Sequence, residues 1–284
     1  MKTKVVPGKK NSKGAKDENF PVGSFLIARK LRPAVVAYYN FARAIDDIAD
    51  DPDAPPEQKI TDLQTMDEAL LEGSGEGRAE LQTAHILRRT MLEKGIDFAH
   101  GSDLIIAFVQ DCKKSRYKTW AELMGYCMNS ASPVGRFLLE LHGEDRSHFR
   151  QSDALCNALQ VINHLQDCKQ DLQDLDRSYL PSIWLRAAGE TPQGVTADAA
   201  SPALRAVIDK CLSATRDLLE EAKLLPGLLY SRRLAMESAI IIDIAYKLVE
   251  ELEKRDPIAE RVELSKKQYM VSTAKGAWSG FWHR

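Results

Sequence analysis

Apolar residues recur every three or four positions along nearly the whole chain, and this periodicity limits the folds that are open to it. No window shows the sustained apolar–polar alternation, rich in β-branched residues, that a strand needs. Prolines and glycines separate the periodic segments, as helix breakers do. The pattern predicts an all-α chain of roughly eight to ten helices. The periodic segments are 34–50, 57–71, 79–94, 103–114, 119–142, 149–173, 203–222 and 233–254.

The connections between these segments are short, and none is a long Gly/Ser linker. A chain of 284 residues can bury one large core or two modest ones. We therefore predict a single helical domain over residues 18–265. A lysine-rich, flexible arm over 1–17 precedes it, and an aromatic and basic tail over 266–284 follows it.

Charge and hydropathy exclude several classes of protein. The 39 basic and 41 acidic residues give a net charge of −2, which argues against a nucleic-acid partner. The strongest apolar run, 239–245, is far too short to span a membrane and is interrupted by Asp243. The N-terminus lacks the apolar stretch of a secretory signal, and the five cysteines form no CxxC pair. These features predict a cytoplasmic protein with free thiols.

The first acidic segment lies near the end of the first predicted helix. Asp46 and Asp50 are four residues apart and share one helix face with Arg43, whereas Asp47 and Asp51 form a second pair at the same spacing. Spacing alone does not choose between the pairs. Clustered carboxylates are unfavourable at a helix C-terminus, the negative end of the helix dipole. The segment is either a divalent-cation site or a solvated acidic helix end.

A second polar stripe lies on the predicted helix over 149–173. Asn163, Asp167 and Asp171 follow one another at intervals of four, and Gln160 precedes Asn163 by three. The other faces of this helix are apolar, so we expect it to be buried and its polar stripe to need partners. His164 lies beside the stripe, and we expect it to be a core or supporting residue rather than a ligand.

Oxygen ligands without His or Cys partners favour Mg²⁺ over zinc or copper. Two facing aspartate pairs would carry four negative charges, and a bound diphosphate would add about three more. About three Mg²⁺ ions would then leave a small negative charge for a nearby arginine or lysine to offset. The two segments together predict a diphosphate held through more than one magnesium ion.

These motifs resemble those of the squalene/phytoene synthase family, in order and over residues 18–265. Residues 43–50 are similar to the family's first Asp-rich motif, and residues 160–171 to its second. Residues 126–136 resemble its Tyr-Cys segment that closes in Val-Gly. Residues 177–181 match its Arg-x-Tyr-Leu-Pro stretch.

Within the family, the chain most resembles the bacterial hopanoid-pathway branch that forms hydroxysqualene. The Glu-Asn-Phe-Pro-Val opening within 18–25 and the Pro-Val-Gly-Arg form within 130–136 point to this branch. Gln166 stands where related condensing enzymes usually carry arginine. One departure is the polar filling between Asp167 and Asp171, where Lys169 could alter the local charge.

The resemblance implies the isoprenoid synthase fold, a helical bundle around a central cavity, and a carbon–oxygen lyase reaction in squalene and hopanoid biosynthesis. Presqualene diphosphate would ionise with Mg²⁺, rearrange and capture water, giving hydroxysqualene and diphosphate. No NADPH is expected, since the reaction needs no reductant and the chain has no GxGxxG-type loop. The resemblance assigns the metal to Asp46, Asp50, Asp167 and Asp171. It adds Tyr126 and Asn163 as catalytic residues, and Ser24, Phe25, Phe41, Arg43, Gln160 and Tyr246 as substrate contacts.

The implied substrate is a thirty-carbon prenyl diphosphate, which suggests functional coupling to a presqualene diphosphate synthase. Residues 275–284 combine aromatic and basic side chains, which are typical of membrane interfaces. One hypothesis is therefore peripheral contact with the inner face of the membrane through this tail. The other is a tail that is disordered or packs on its own chain.

Two other functions remain open. One is head-to-head condensation of two prenyl diphosphates to presqualene diphosphate or phytoene. Such an enzyme must hold a second diphosphate, so Gln166, which lacks the charge of an arginine, argues against it. The other is a non-catalytic helical scaffold, which would be expected to lack one or more of the four motif aspartates, and all four are present.

Overall fold

The computed structural model describes residues 26–282, and side chains over 26–276. The predicted basic arm, Ser24 and Phe25 lie outside the described residues. In the described part every regular element is helical, apart from one isolated bridge between Arg116 and Ser178. The α-helices are α1 (Arg32–Ala49), α2 (Pro56–Leu71), α3 (Gln82–Lys94), α4 (Ala99–Asp111), α5 (Trp120–Ser130), α6 (Ser132–Leu141), α7 (Phe149–Leu175), α8 (Ser182–Ala187), α9 (Pro202–Ala222), α10 (Leu225–Leu228), α11 (Arg232–Lys254) and α12 (Lys266–Trp282). Three short 3₁₀ turns cover Ala79–Leu81, Arg146–His148 and Pro192–Thr196.

The predicted helix over 119–142 is wrong in one respect, because the structure divides it into α5 and α6. Ala131 lies between them with φ −124° and ψ −47°, outside helical geometry. Pro133 has no backbone N–H, so it cannot continue the hydrogen bonds of α5 but fits the first turn of a new helix. Helix α5 therefore ends four residues after Tyr126.

Two hydrophobic clusters form the core. The first lies between α5, α7, α9 and α11, and the second joins α1, α2, α3, α4 and α6. Helix α7 is buried on most of its faces, as its apolar residues predict. Gly135 allows α6 to approach α7 closely, because a Cβ atom there would lie 2.3 Å from Ser152 Oγ. The long α7 thus has neighbours on several sides.

Residues 266–282, most of the segment that we predicted as an aromatic and basic tail, form helix α12. Helix α12 packs along α11. A Cβ atom on Gly276 would lie 2.5 Å from the Cα of Ile240, so the two backbones nearly touch. As far as Gly276, the tail therefore packs on its own chain, which is part of the second hypothesis for it. Within residues 26–282, no helix combines the length and the apolar character needed to cross a membrane.

Candidate functional site

Three helices end at one place in the molecule. Asp50 caps the C-terminus of α1, Asp111 is the last residue of α4, and Asp171 lies in the last turns of α7. Arg177 joins them: its Nη1 donates to Asp50 Oδ1 at 2.9 Å, and its backbone N–H donates to the carbonyl oxygen of Asp171 at 3.1 Å. We call Asp46, Asp50, Asp111, Asp171 and Arg177 the acidic centre. Because helix C-termini are negative, the three helix ends add to the charge of these carboxylates.

Helix α1 orients its aspartates by its apolar face. Phe41 and Ile45 are buried, which places Asp46 and Asp50 on the opposite side. Burial, together with the nearby charge of Asp50, raises the pKa of Asp46 to about 6, although the cation of Arg43 opposes this. Arg43 forms an ion pair with Asp46. Asp46 is therefore a partly desolvated carboxylate, and the negative charge of Asp50 destabilises its ionised form.

The alternative pair of aspartates lies in a different environment. The Asp47 side chain is 66% exposed and accepts a hydrogen bond from Arg43 Nη2 at 3.2 Å. Asp51 is also exposed, and its Oδ1 accepts from the backbone of Asp53 at 2.9 Å. Burial thus distinguishes the two pairs that spacing left equivalent, and Asp50 belongs to the acidic centre.

Asp111 is a functional candidate that sequence reasoning missed. It is buried, and Tyr126 Oη donates to its Oδ2 at 2.9 Å. Burial raises the pKa of Asp111 to about 7, with Arg177 opposing the shift and Asp50 adding to it. A single aspartate at the end of an apolar helix has no spaced partner in the sequence, so no local pattern distinguishes it. Arg177, by contrast, stood in the recognised stretch 177–181 and could have been singled out.

Aromatic rings surround Tyr126. Its ring centroid lies 5.3 Å from that of Tyr117 and 5.7 Å from that of Tyr179. His164 stacks on Tyr179 with centroids 3.5 Å apart. Burial and the nearby Arg177 lower the pKa of His164 to about 3, so the imidazole is neutral at physiological pH. We call Tyr117, Tyr126, Tyr179 and His164 the aromatic group, in which His164 packs as a supporting residue would.

The second Asp-rich segment is connected to the chain between α11 and α12. Arg261 Nη1 lies 3.1 Å from Asp167 Oδ1, and Gln166 Nε2 donates to the carbonyl oxygen of Val262 at 2.6 Å. Lys169 Nζ donates to the carbonyl oxygen of Ala197 at 2.7 Å, so its charge is used outside the aspartate stripe. We call residues 255–265 the α11–α12 connection.

Two further predicted residues, Gln160 and Asn163, lie on α7. Gln160 Nε2 is 3.3 Å from His164 Nε2, which connects Gln160 to the aromatic group around Tyr126. Asn163 lies on the same face of α7 as Asp167 and Asp171, as the spacing predicts.

Two predicted substrate contacts have other partners in this structure. Phe41 has 0% exposed surface, because it packs inside the second core cluster, and it presents no face to a substrate. Tyr246, on α11, donates its hydroxyl to Glu220 of α9 at 2.7 Å. In this structure Phe41 is therefore a core residue, and Tyr246 joins α11 to α9.

The ligand chemistry of the acidic centre fits magnesium. Its donors are carboxylate oxygens, and the raised pKa of Asp46 reflects its burial and the nearby charge of Asp50, which a hard cation would offset. Over residues 26–282, however, no three acidic, His or Cys groups lie at metal-binding spacing. Arginines neutralise the motif aspartates instead: Arg43 at Asp46, Arg177 at Asp50 and Arg261 at Asp167. A cation at these carboxylates would compete with guanidinium groups.

The chain is similar in sequence to several known proteins. The squalene/phytoene synthase family model matches residues 14–268. A hydroxysqualene synthase from Zymomonas mobilis is 42% identical over 90% of this chain and 86% of its own length. Another from Rhodopseudomonas palustris is 38% identical over 93% and 89%, respectively.

Solved structures show the same fold. The squalene synthase HpnC from Alicyclobacillus acidocaldarius superposes with a TM-score of 0.72 at 29% identity, covering 82% of this chain and 87% of that one. A dehydrosqualene synthase superposes with a TM-score of 0.71 at 19% identity, covering 89% and 88%, respectively, and supports the fold alone. The predicted all-α isoprenoid synthase bundle is therefore confirmed. The chain belongs to the squalene/phytoene synthase family.

Proposed function

We propose that the chain is a hydroxysqualene synthase: with Mg²⁺ it ionises presqualene diphosphate, and rearrangement and water capture give hydroxysqualene and diphosphate. This is a carbon–oxygen lyase reaction of squalene and hopanoid biosynthesis. Three relatives at 38–42% identity carry the name hydroxysqualene synthase. The observation that carries the proposal is the meeting of the two Asp-rich helices, α1 and α7, at Arg177.

Asp46, Asp50, Asp167 and Asp171 are the residues that would hold magnesium. The bound ions would supply Lewis acidity at the oxygens of the leaving diphosphate. Arg43 and Arg177 are fixed beside these carboxylates, and a guanidinium can pair with two phosphate oxygens at once. They would therefore offset part of the diphosphate charge.

The aromatic group would stabilise the carbocation that ionisation leaves. The rings of Tyr117, Tyr126 and Tyr179 lie within 5.7 Å of one another, and each cation–π contact contributes about 0.5–2 kcal/mol. The hydroxyl of Tyr126 is held by Asp111. This hydrogen bond fixes the ring of Tyr126 beside those of Tyr117 and Tyr179.

Polar residues of α7 would position the water that captures the cation. Asn163 and Gln160 lie on the helix that carries Asp167, and their amides can both donate and accept hydrogen bonds. Ser24 and Phe25 are proposed as further substrate contacts on the strength of their motif.

Condensation of two prenyl diphosphates fits the site less well. Gln166 is buried and donates to the carbonyl oxygen of Val262, so this position supplies a tether to the α11–α12 connection. It brings no positive charge for a second diphosphate. A non-catalytic scaffold is also disfavoured, because a buried ionisable centre is costly to keep without a use.

The proposed substrate implies a presqualene diphosphate synthase acting immediately before this enzyme. We also propose a cytoplasmic location with peripheral contact at the inner membrane face. Since α12 packs on α11, the contact would use the outer side of α12. Liposome flotation of the full chain and of a chain ending at residue 265 tests this, and equal flotation of the two would contradict it.

A product assay tests the proposed reaction. The purified chain receives Mg²⁺ without NADPH, with presqualene diphosphate and farnesyl diphosphate offered in separate reactions and the extract measured by mass spectrometry. We expect hydroxysqualene from presqualene diphosphate only, and none after chelation of the metal. Presqualene diphosphate formed from farnesyl diphosphate would identify a condensing enzyme instead, and inertness toward both substrates would support the scaffold.

A further inference from the structure

The turn that follows α7 contains a residue in an unusual backbone conformation. Asp176 has φ 50° and ψ 35°, and it is the only non-glycine residue with positive φ in the described part of the chain. Residues with a Cβ atom rarely adopt this left-handed region, although aspartate tolerates it better than most. The conformation ends α7 and turns the chain at a single residue.

Arg116 contacts this turn at two points. Its guanidinium donates to the carbonyl oxygen of Asp176, and its Nη2 lies 2.5 Å from the Oδ1 of the same residue. The backbone on the two sides is paired as well, since the N–H of Ser178 donates to the carbonyl oxygen of Ser115 at 2.9 Å. One side chain therefore holds both the main chain and the carboxylate of the turn. We call Arg116 and Asp176 the clamp.

Asp176 of the clamp is followed directly by Arg177, the arginine of the acidic centre. The Arg177 side chain is 12% exposed and spans from the end of α7 to Asp50 on α1. A guanidinium is charged at any ordinary pH, so Arg177 brings a fixed positive charge to within hydrogen-bond distance of Asp50. A long arginine side chain loses much rotational freedom when it is held in one place. A rigid backbone on its N-terminal side reduces how much further freedom must be lost.

We infer that Arg116 and Asp176 are positioning residues that hold Arg177 as a resident counter-charge in the acidic centre. The guanidinium then competes with a divalent cation at Asp50 for as long as no diphosphate is bound. An arriving diphosphate offers Arg177 new oxygen partners, so metal and diphosphate bind together rather than in turn. The inference rests on the proposed metal role of Asp50.

Binding of Mn²⁺ alone, followed by the EPR signal of the free ion, tests the inference without turnover. Metal-free wild type, Arg116→Ala, Arg177→Gln and the double variant are titrated in the absence of diphosphate. Arg177→Gln should bind Mn²⁺ about tenfold more tightly, because a positive charge near the ligands is removed. Arg116→Ala should tighten binding less, and the double variant should equal Arg177→Gln.

Arg216→Ala is the matched control. Arg216 also holds one carboxylate through two nitrogens, with both distances to Glu253 at 2.7 Å, but it does so between α9 and α11. It should bind Mn²⁺ as the wild type does. Circular dichroism establishes that each variant is folded.

Asp176→Gly provides a second route if Arg116→Ala does not fold. Glycine adopts positive φ freely, so this variant keeps the turn and removes only the carboxylate that Arg116 holds. It should tighten Mn²⁺ binding slightly, and not at all when Arg177 is already glutamine.

Two results would overturn the inference. One is wild-type Mn²⁺ affinity in both Arg116→Ala and Asp176→Gly. The other is a full additional effect of either change in the Arg177→Gln background, which would show that the clamp does not act through Arg177. If the wild type forms no hydroxysqualene but the Mn²⁺ affinities follow the expected pattern, the proposed reaction fails and the clamp stands.

Discussion

Asp46 and Asp47 are adjacent in the chain, yet only Asp46 is desolvated beside another carboxylate. Asp46→Asn should reduce kcat about 100-fold or more, because it removes a ligand for the cation that stabilises the leaving group. Asp47→Asn should stay within about twofold of wild type, since Asp47 is exposed and makes only a surface pair with Arg43. Hydroxysqualene formation from presqualene diphosphate measures both. Equal losses in the two variants would contradict the assignment of the pair.

For single residues, a sequence pattern identifies functional candidates that recur at a fixed spacing. It does not identify a residue that has no such partner. Asp46 and Asp50 could be paired because helical geometry places residues four apart on one face. Asp111 could not be found, since its closeness to them depends on how α4 packs against α1. Phe41 could not be placed either, because an aromatic residue in a helix looks the same whether it lines a cavity or fills a core.

The contact between α6 and α7 depends on the absence of a side chain at Gly135. An added methyl group would lie 2.3 Å from Ser152 Oγ and 2.7 Å from Cys156 Sγ, so the helices would have to separate. We expect Gly135→Ala to lower the free energy of unfolding by about 1–3 kcal/mol, as overpacking does. Urea unfolding measures the change.

Gly125→Ala is the matched control for this prediction. Gly125 lies within α5, and a Cβ atom there would meet nothing within 4 Å. Alanine should leave the stability unchanged or raise it by up to about 1 kcal/mol, because it favours helix. A loss of stability in both variants would mean that the close approach at Gly135 is not the cause.

Long helices are predictable from periodicity, whereas short or interrupted ones are not. Helices α7, α9 and α11 were expected within a few residues of their bounds because each repeats its apolar pattern over many turns. Helices α8 and α10 contain one or two turns, which is too few for a period to appear. Helix α12 was missed because its packing partner, α11, stabilises a sequence with little apolar periodicity of its own.

The acidic centre lowers the stability of the whole metal-free molecule at neutral pH. Burial holds the pKa of Asp111 at about 7, above the 3.8 of an ordinary aspartate. Below pH 7 the folded protein binds a proton that the unfolded chain does not bind until pH 4, so acidification stabilises the fold through this group. The stabilisation is lost as the pH rises through 7.

Asp111→Asn should remove this dependence. Relative to wild type, the variant should be about 1–2 kcal/mol more stable at pH 8 than at pH 5.5, because asparagine carries no charge to bury. Urea unfolding of the metal-free proteins at both values gives the comparison, in which titration of the histidines cancels. An unchanged difference between the two proteins would show that Asp111 ionises without cost.

The α11–α12 connection ties the last helix pair to the second Asp-rich segment through Gln166, Lys169 and Asp167. Glu263, within it, is 66% exposed and pairs with Arg261, which also holds Asp167. Any ligand that draws Asp167 away from Arg261 would therefore change the surroundings of Glu263, which is accessible from solvent. A fluorophore attached at residue 263 would make the chain an optical sensor of its own site.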